Sequence, residues 1–146
     1  MSHRISINRE PDIISAVTVA YTEMSNSPYS ILEKQQIIVT ISELCKNILF
    51  HSNSTGYVFI ERIQKGIRIT AIDDGVGIAS IEDVINGIKN PHSKGLGLGL
   101  TGVKQMMDVF MIESPEQGGT KVIVEKWYGR IPSTKLTLFE GRKSTE

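Results

Sequence analysis

The feature that most constrains this chain is an apolar helical stripe between residues 30 and 52. Ile31, Ile38, Ile41, Cys45 and Ile48 recur along it at helical spacing, and Ile37, Leu44 and Leu49 widen it. A stripe that broad predicts a helix lying largely buried against a sheet. Glu43 and Asn47 sit within this pattern four residues apart, which puts both on one face pointing the same way. An exposed polar stripe is the ordinary explanation of such a pair. The apolar neighbours on both sides weaken it.

Around this helix the pattern alternates between strand and helix periods. Residues 3–8 read as a short half-buried strand. Pro11 and Asp12 suit the first turn of a helix over 11–25, carried by Ile13, Val17, Ala20 and Met24 and ended before Pro28. Two strand-like runs, 57–64 and 67–73, flank Lys65-Gly66 as a hairpin. A weak helix is expected over 80–88 and an exposed loop over 89–99. A helix from Leu100 to Phe110 follows, with Val103, Met106, Met107 and Phe110 on its apolar side. Strands over 110–114 and 120–127, turned by Gln117-Gly118-Gly119, come next. Residues 129–146 read as a tail, either disordered or with Leu136 and Leu138 in an edge strand or a partner contact. The order predicts an α+β two-layer sandwich: a mixed sheet with helices on one face.

Composition removes several function classes. Sixteen Lys and Arg balance sixteen Asp and Glu, without a basic run, and aromatics make up 6%. Neither a positive field nor a stacking platform for nucleic acid is present. No run approaches the length of a membrane span, and Asn8, Arg9, Glu10 and Asp12 interrupt the N-terminus too early for a signal peptide. Cys45, the single cysteine, cannot form an internal disulfide, which fits a reducing compartment, and the cytoplasm is the expected address. The 146 residues argue for one compact domain, or at most two very small ones.

Three clusters can carry chemistry. Gly95-Leu96-Gly97-Leu98-Gly99-Leu100 opens a helix, where free N–H groups and the helix dipole favour phosphate. By itself the run is often a plain flexible connection. It is neither a P-loop nor a dinucleotide fingerprint. Asp73-Asp74-Gly75-Val76-Gly77 places a carboxylate at a strand end, where it can accept from an amino group such as adenine N6. Alone it reads more simply as an Asp-Gly turn. Glu43 offers a general base and Asn47 a neutral oxygen for Mg²⁺. His51, one turn on, is more often structural than functional as a lone histidine.

Together these clusters resemble the GHKL ATPase/kinase superfamily of gyrase, Hsp90, histidine kinases and MutL. Glu43-Leu44-Cys45-Lys46-Asn47 resembles its N-box, Asp73 to Gly77 its Asp-x-Gly-x-Gly box, and Gly95 to Leu100 its Gly-x-Gly-x-Gly-Leu box. Gly119-Thr120 matches its later Gly-Thr motif, and the likeness runs from about residue 3 to Trp127. It implies the Bergerat ATP-binding fold over 1–128, with 129–146 as a tail of unassigned role. The closest resemblance is to the small serine/threonine kinases of partner-switching systems, above all the RsbT type of the stressosome, carried by Ile41 to Ile48 and Gly95 to Asp108. The SpoIIAB and RsbW anti-sigma types are its relatives.

The resemblance also implies roles. Glu43 would orient or deprotonate the acceptor hydroxyl, and Asn47 would hold Mg²⁺ on the ATP phosphates. Asp73, supported by Thr120, would recognise adenine, with Gly75 and Gly77 close to the base. Gly95, Leu96, Gly97, Leu98, Gly99 and Leu100 would wrap the phosphates beneath a lid at 86–94, and Lys94 would reach them or remain solvated. The implied partner is a STAS-domain substrate of RsbS or RsbR type. A downstream phosphatase and a homodimer are further associations the resemblance admits. Two rival readings stay open: an anti-sigma factor that binds through its N-terminal helices, and a non-catalytic ATP-binding switch.

Overall fold

A computed structural model of the protein describes residues 2–51, 54–75, 99–114, 118–129 and 136–140, the last five and residue 51 by their backbone alone. Polar–apolar alternation at the start of the chain gives strand β1 (Ser2–Ile7). Helix α1 (Pro11–Met24) begins with proline in its first turn, where no N–H is needed, and Asp12 accepts the N–H groups of Asn8 and Arg9 at 2.8 and 3.0 Å. Those bonds hold the Asp12 carboxyl below its usual range.

Helix α2 (Ile31–Lys46) starts with a complete capping box. The Ser30 hydroxyl accepts from the Glu33 N–H, and the Glu33 carboxylate accepts from the Ser30 N–H. A cap of this kind contributes about 1 kcal/mol. The predicted continuous helix over 30–52 is corrected at its end, because from Asn47 to His51 the backbone widens into a π-helix.

Strands β2 (Gly56–Ile63) and β3 (Gly66–Asp73) form the expected hairpin. Helix α3 (Gly99–Met106) leads through two residues into β4 (Val109–Glu113), and β5 (Thr120–Trp127) returns antiparallel to β4. The helix expected up to Phe110 therefore stops at Met106. Val109 to Glu113 pair instead with β5, where Phe110 buries as strand rather than helix.

The last strand, β6 (Leu136–Glu140), pairs parallel with β4. Of the alternatives for the tail, the edge strand is the one found at Leu136–Glu140. The sheet order is β1-β2-β3-β5-β4-β6, antiparallel except for the final pair, which makes it mixed as expected.

Register explains which face the helices cover. Val58 pairs with Ala71 and Ala71 with Val122, and Ile60 pairs with Ile69 and Ile69 with Val124. These rows are buried against Ile37, Ile41 and Leu44 of α2, Ala16 and Ala20 of α1, and Leu100 and Val103 of α3, in one core. The opposite face bears half-buried Phe59, Ile72, Met111 and Ile123, with Arg68 bridging Glu61 and Glu125 across neighbouring strands.

Candidate functional site

Asp73 closes β3 on the helix-covered face, paired with Gly56 of β2 on one side and Thr120 of β5 on the other. It is 4% exposed. Burying a carboxylate is costly unless it is hydrogen-bonded. Here Oδ1 accepts the Gly75 N–H at 2.8 Å, a side-chain turn that bends the chain away from the sheet. The turn and the candidate recognition group are thus the same residue.

A second backbone segment closes on this turn. Gly118 and Gly119 have φ of +105° and +86°, and the Gly119 N–H donates to the Gly75 carbonyl at 2.7 Å. A Cβ on Gly119 would lie 2.9 Å from the Asp73 carbonyl oxygen. Only glycine combines that φ with that approach. Gly56, which sequence reasoning passed over, has the same function on the other side: a Cβ there would collide with the Ile72 carbonyl. Its one signal was a glycine opening a strand.

Thr120 is 3% exposed, and its Oγ1 is buried without a hydrogen-bond partner among the described residues. An unsatisfied buried hydroxyl costs about 1–3 kcal/mol. It stands in register beside Asp73, so a ligand group between the two strands would satisfy it.

The candidate base and metal ligand come from α2. Glu43 is 6% exposed, and its carboxylate makes no hydrogen bond or ion pair with another described residue. Asn47 is half-buried and stands where α-helix becomes π-helix, its N–H shared between the Glu43 and Leu44 carbonyls. Such local widening recurs at functional sites because it re-aims side chains. The chain then returns through a Ser54 N–H bond to the Ile48 carbonyl (3.2 Å) and enters β2 at Gly56, the partner of Asp73. The C-terminal end of α2 and the Asp73 turn therefore occupy the same end of the sheet.

Gly99 opens α3 with φ +55°, and Leu100 behind it is buried. The helix packs beside α2 and reaches β4 near Glu125, at the end of β5 remote from Thr120. Its first residues thus project back toward the Asp73 end. Gly77, Lys94, Gly95, Leu96, Gly97 and Leu98, the 80–88 helix and the 86–94 lid lie outside the described residues. So does the His51 side chain. The structure brings Asp73 and Thr120 into direct register, ties Gly75 to Asp73 and Gly119 by hydrogen bonds, and delivers Glu43 and Asn47 to the same end.

A family model described as "Histidine kinase-, DNA gyrase B-, and HSP90-like ATPase" matches residues 33–129. The chain is 34% identical over 128 residues to serine/threonine-protein kinase RsbT of Bacillus subtilis (strain 168), covering 84% of this chain and 94% of that protein. It is 32% identical over 133 residues to an anti-sigma F factor of Geobacillus thermodenitrificans (strain NG80-2), covering 86% and 90%. An anti-sigma F factor of Clostridium acetobutylicum is 28% identical over 128 residues, covering 84% and 89%.

Proposed function

The chain belongs to the histidine kinase-, DNA gyrase B- and HSP90-like ATPase family, and on that premise we propose that it is a serine/threonine protein kinase whose substrate is a STAS-domain partner in a cytoplasmic partner-switching cascade. The observation that supports this most is the Asp73–Gly75 turn, locked against Gly118–Gly119 beside the unpartnered Thr120 hydroxyl. A flat base with one exocyclic amino group fits it: Asp73 accepts from the amino group, Thr120 satisfies its own hydroxyl on the same ligand, and Gly75 and Gly77 leave room for the ring.

Bound Mg·ATP supplies the phosphoryl group, whose transfer depends on positioning and charge neutralisation. Asn47 offers its carboxamide oxygen to the cation, a hard neutral donor of the kind Mg²⁺ accepts. Lys94 and the run from Gly95 to Leu100 would supply the phosphate-binding groups, as the family resemblance implies. Glu43, a buried carboxylate with no ion pair among the described residues, would accept the proton of the Ser or Thr hydroxyl as its oxygen bonds to the γ-phosphorus, the β,γ-bridging P–O bond breaks and ADP leaves. The ATP-binding unit spans 1–128, and 129–146 adds the edge strand.

The test is incubation with Mg·ATP and a candidate STAS protein, followed by mass spectrometry for phosphoserine or phosphothreonine. Glu43→Ala is expected to keep ATP binding while transfer falls roughly 10²–10⁴-fold. Wild-type protein that binds ATP and transfers nothing would favour the non-catalytic switch. The anti-sigma reading has its own observation: Ile14 and Tyr21 on α1 and Ile31 and Leu32 at the start of α2 are exposed apolar side chains. Parallel capture on immobilised sigma factor and STAS protein separates the two.

A further inference from the structure

Lys126 is 1% exposed, an unusual place for an ammonium group. It sits on β5 at the end opposite Thr120, and its two polar ends bind two different helices. Its Nζ donates to the carbonyl of Met106, the last residue of α3, at 2.6 Å. Its backbone carbonyl accepts from the Tyr29 hydroxyl, and Tyr29 immediately precedes Ser30, the N-cap of α2. Burial pushes the Tyr29 phenol far above its usual range, so it stays a donor. Gly66 opposite is required for this approach, since a Cβ there would collide with the Lys126 carbonyl. Asp108 fixes the same corner: its Oδ2 accepts the Trp127 N–H at 2.7 Å, and its own N–H donates to the Glu125 carbonyl at 2.9 Å.

The two helices that meet here carry the candidate site at their other ends. Glu43 and Asn47 lie at the far end of α2, and Gly99 opens α3. A buried cation on the last carbonyl of α3 is a charge-assisted bond at the negative end of the helix. We propose that Lys126 is a positioning residue, a clasp that holds the remote ends of α2 and α3 and thereby sets the spacing between Asn47 and Gly99 at the start of α3. The inference rests on the kinase reading above. It separates two halves of the nucleotide: Asp73, Gly119 and Thr120 grip the base from the strands themselves, whereas phosphate binding depends on where the helices are held.

The experiment is calorimetric titration of the full chain with Mg·ATP and, separately, with adenosine. Lys126→Met keeps the apolar stem and removes the donor. It is expected to weaken Mg·ATP about tenfold, as loss of one charge-assisted bond would, while adenosine affinity stays within about twofold. Lys126→Arg, which retains a donor, should recover most of that loss. A parallel fall for both ligands would mean general loosening and overturn the proposal, as would no change for either. Should Lys126→Met fail to fold, Tyr29→Phe, which removes a single hydroxyl, is judged on the same ratio. Wild-type protein that binds adenosine but not ATP would overturn the kinase reading itself. Wild-type binding with an unaltered ratio in the variants overturns only the clasp.

Discussion

Replacing Asp73 by Asn tests the base-recognition geometry directly, because the structure dictates which way the amide must face. The Gly75 N–H donates to Oδ1 at 2.8 Å in a buried turn. In the variant that N–H still needs an acceptor, so the amide oxygen must take the Oδ1 position. The NH₂ is then forced toward the ligand side, where Asp73 had offered an acceptor. An adenine amino group would meet a donor instead of a carboxylate. Losing a hydrogen bond to a charged acceptor costs about 1.5–3 kcal/mol, and leaving a buried donor unpaired costs about 1–3 kcal/mol. The sum, about 2.5–6 kcal/mol, is roughly a two- to four-decade fall in ATP affinity. The same amide would suit a base with a carbonyl at that position, so affinity for inosine triphosphate should rise relative to ATP. Calorimetry with both nucleotides reads the two effects together. An unchanged ATP affinity would refute the assignment of Asp73. An equal fall for both nucleotides would show that the turn had collapsed and would refute the amide geometry.

Asn47→Ala is expected to abolish the gain in nucleotide affinity that Mg²⁺ confers while leaving the metal-free affinity unchanged; titration with and without Mg²⁺ checks this. Gly119→Ala combines a left-handed backbone angle with a Cβ 2.9 Å from the Asp73 carbonyl oxygen. It should cost about 2–4 kcal/mol, lowering the unfolding midpoint by roughly 5–15 °C. Glu23 is held below the usual carboxylate range of 4.5, chiefly by its hydrogen bond with His3 (2.7 Å) and further by Arg62, against the opposing effect of burial. Because the folded value is depressed, its contribution to stability is present above that ordinary range and disappears as pH falls through the lower folded value. Denaturation curves at stepped pH should show this for the wild type and a flatter acid limb for Glu23→Gln.

Local chemistry made much of this fold readable. Pro11 with Asp12, Ser30 with Glu33, and Lys65-Gly66 between alternating runs each act over a few residues, and the corresponding helix starts and hairpin form there. The end of α2 was not readable, because the stripe through Ile48 and Leu49 continues at helical spacing. The widening at Asn47 alters which backbone groups pair, not which side chains are apolar. Phe110 was misplaced for a related reason. It completes a helical stripe from Val103, and only the non-local pairing with Val124 makes it a strand residue. Leu136 and Leu138 alternate as a strand does, but no nearby residue announces a parallel partner as distant as β4. At the site, Asp73, Gly119 and Thr120 were visible as motifs. Gly56, Tyr29 and Lys126 were not, since each matters only through a segment far away in sequence.

The register of Asp73 with Thr120 also has a kinetic consequence. Strands β2 and β3 meet through a tight hairpin and can pair early, whereas β3 and β5 pair only across the long segment 74–119. Long loops are the slow step in forming such topologies. The base-recognition end of the molecule is therefore absent from a nascent chain until β5 has left the ribosome. A nucleotide analogue added during stalled synthesis should be retained only by chains that have emerged past Trp127.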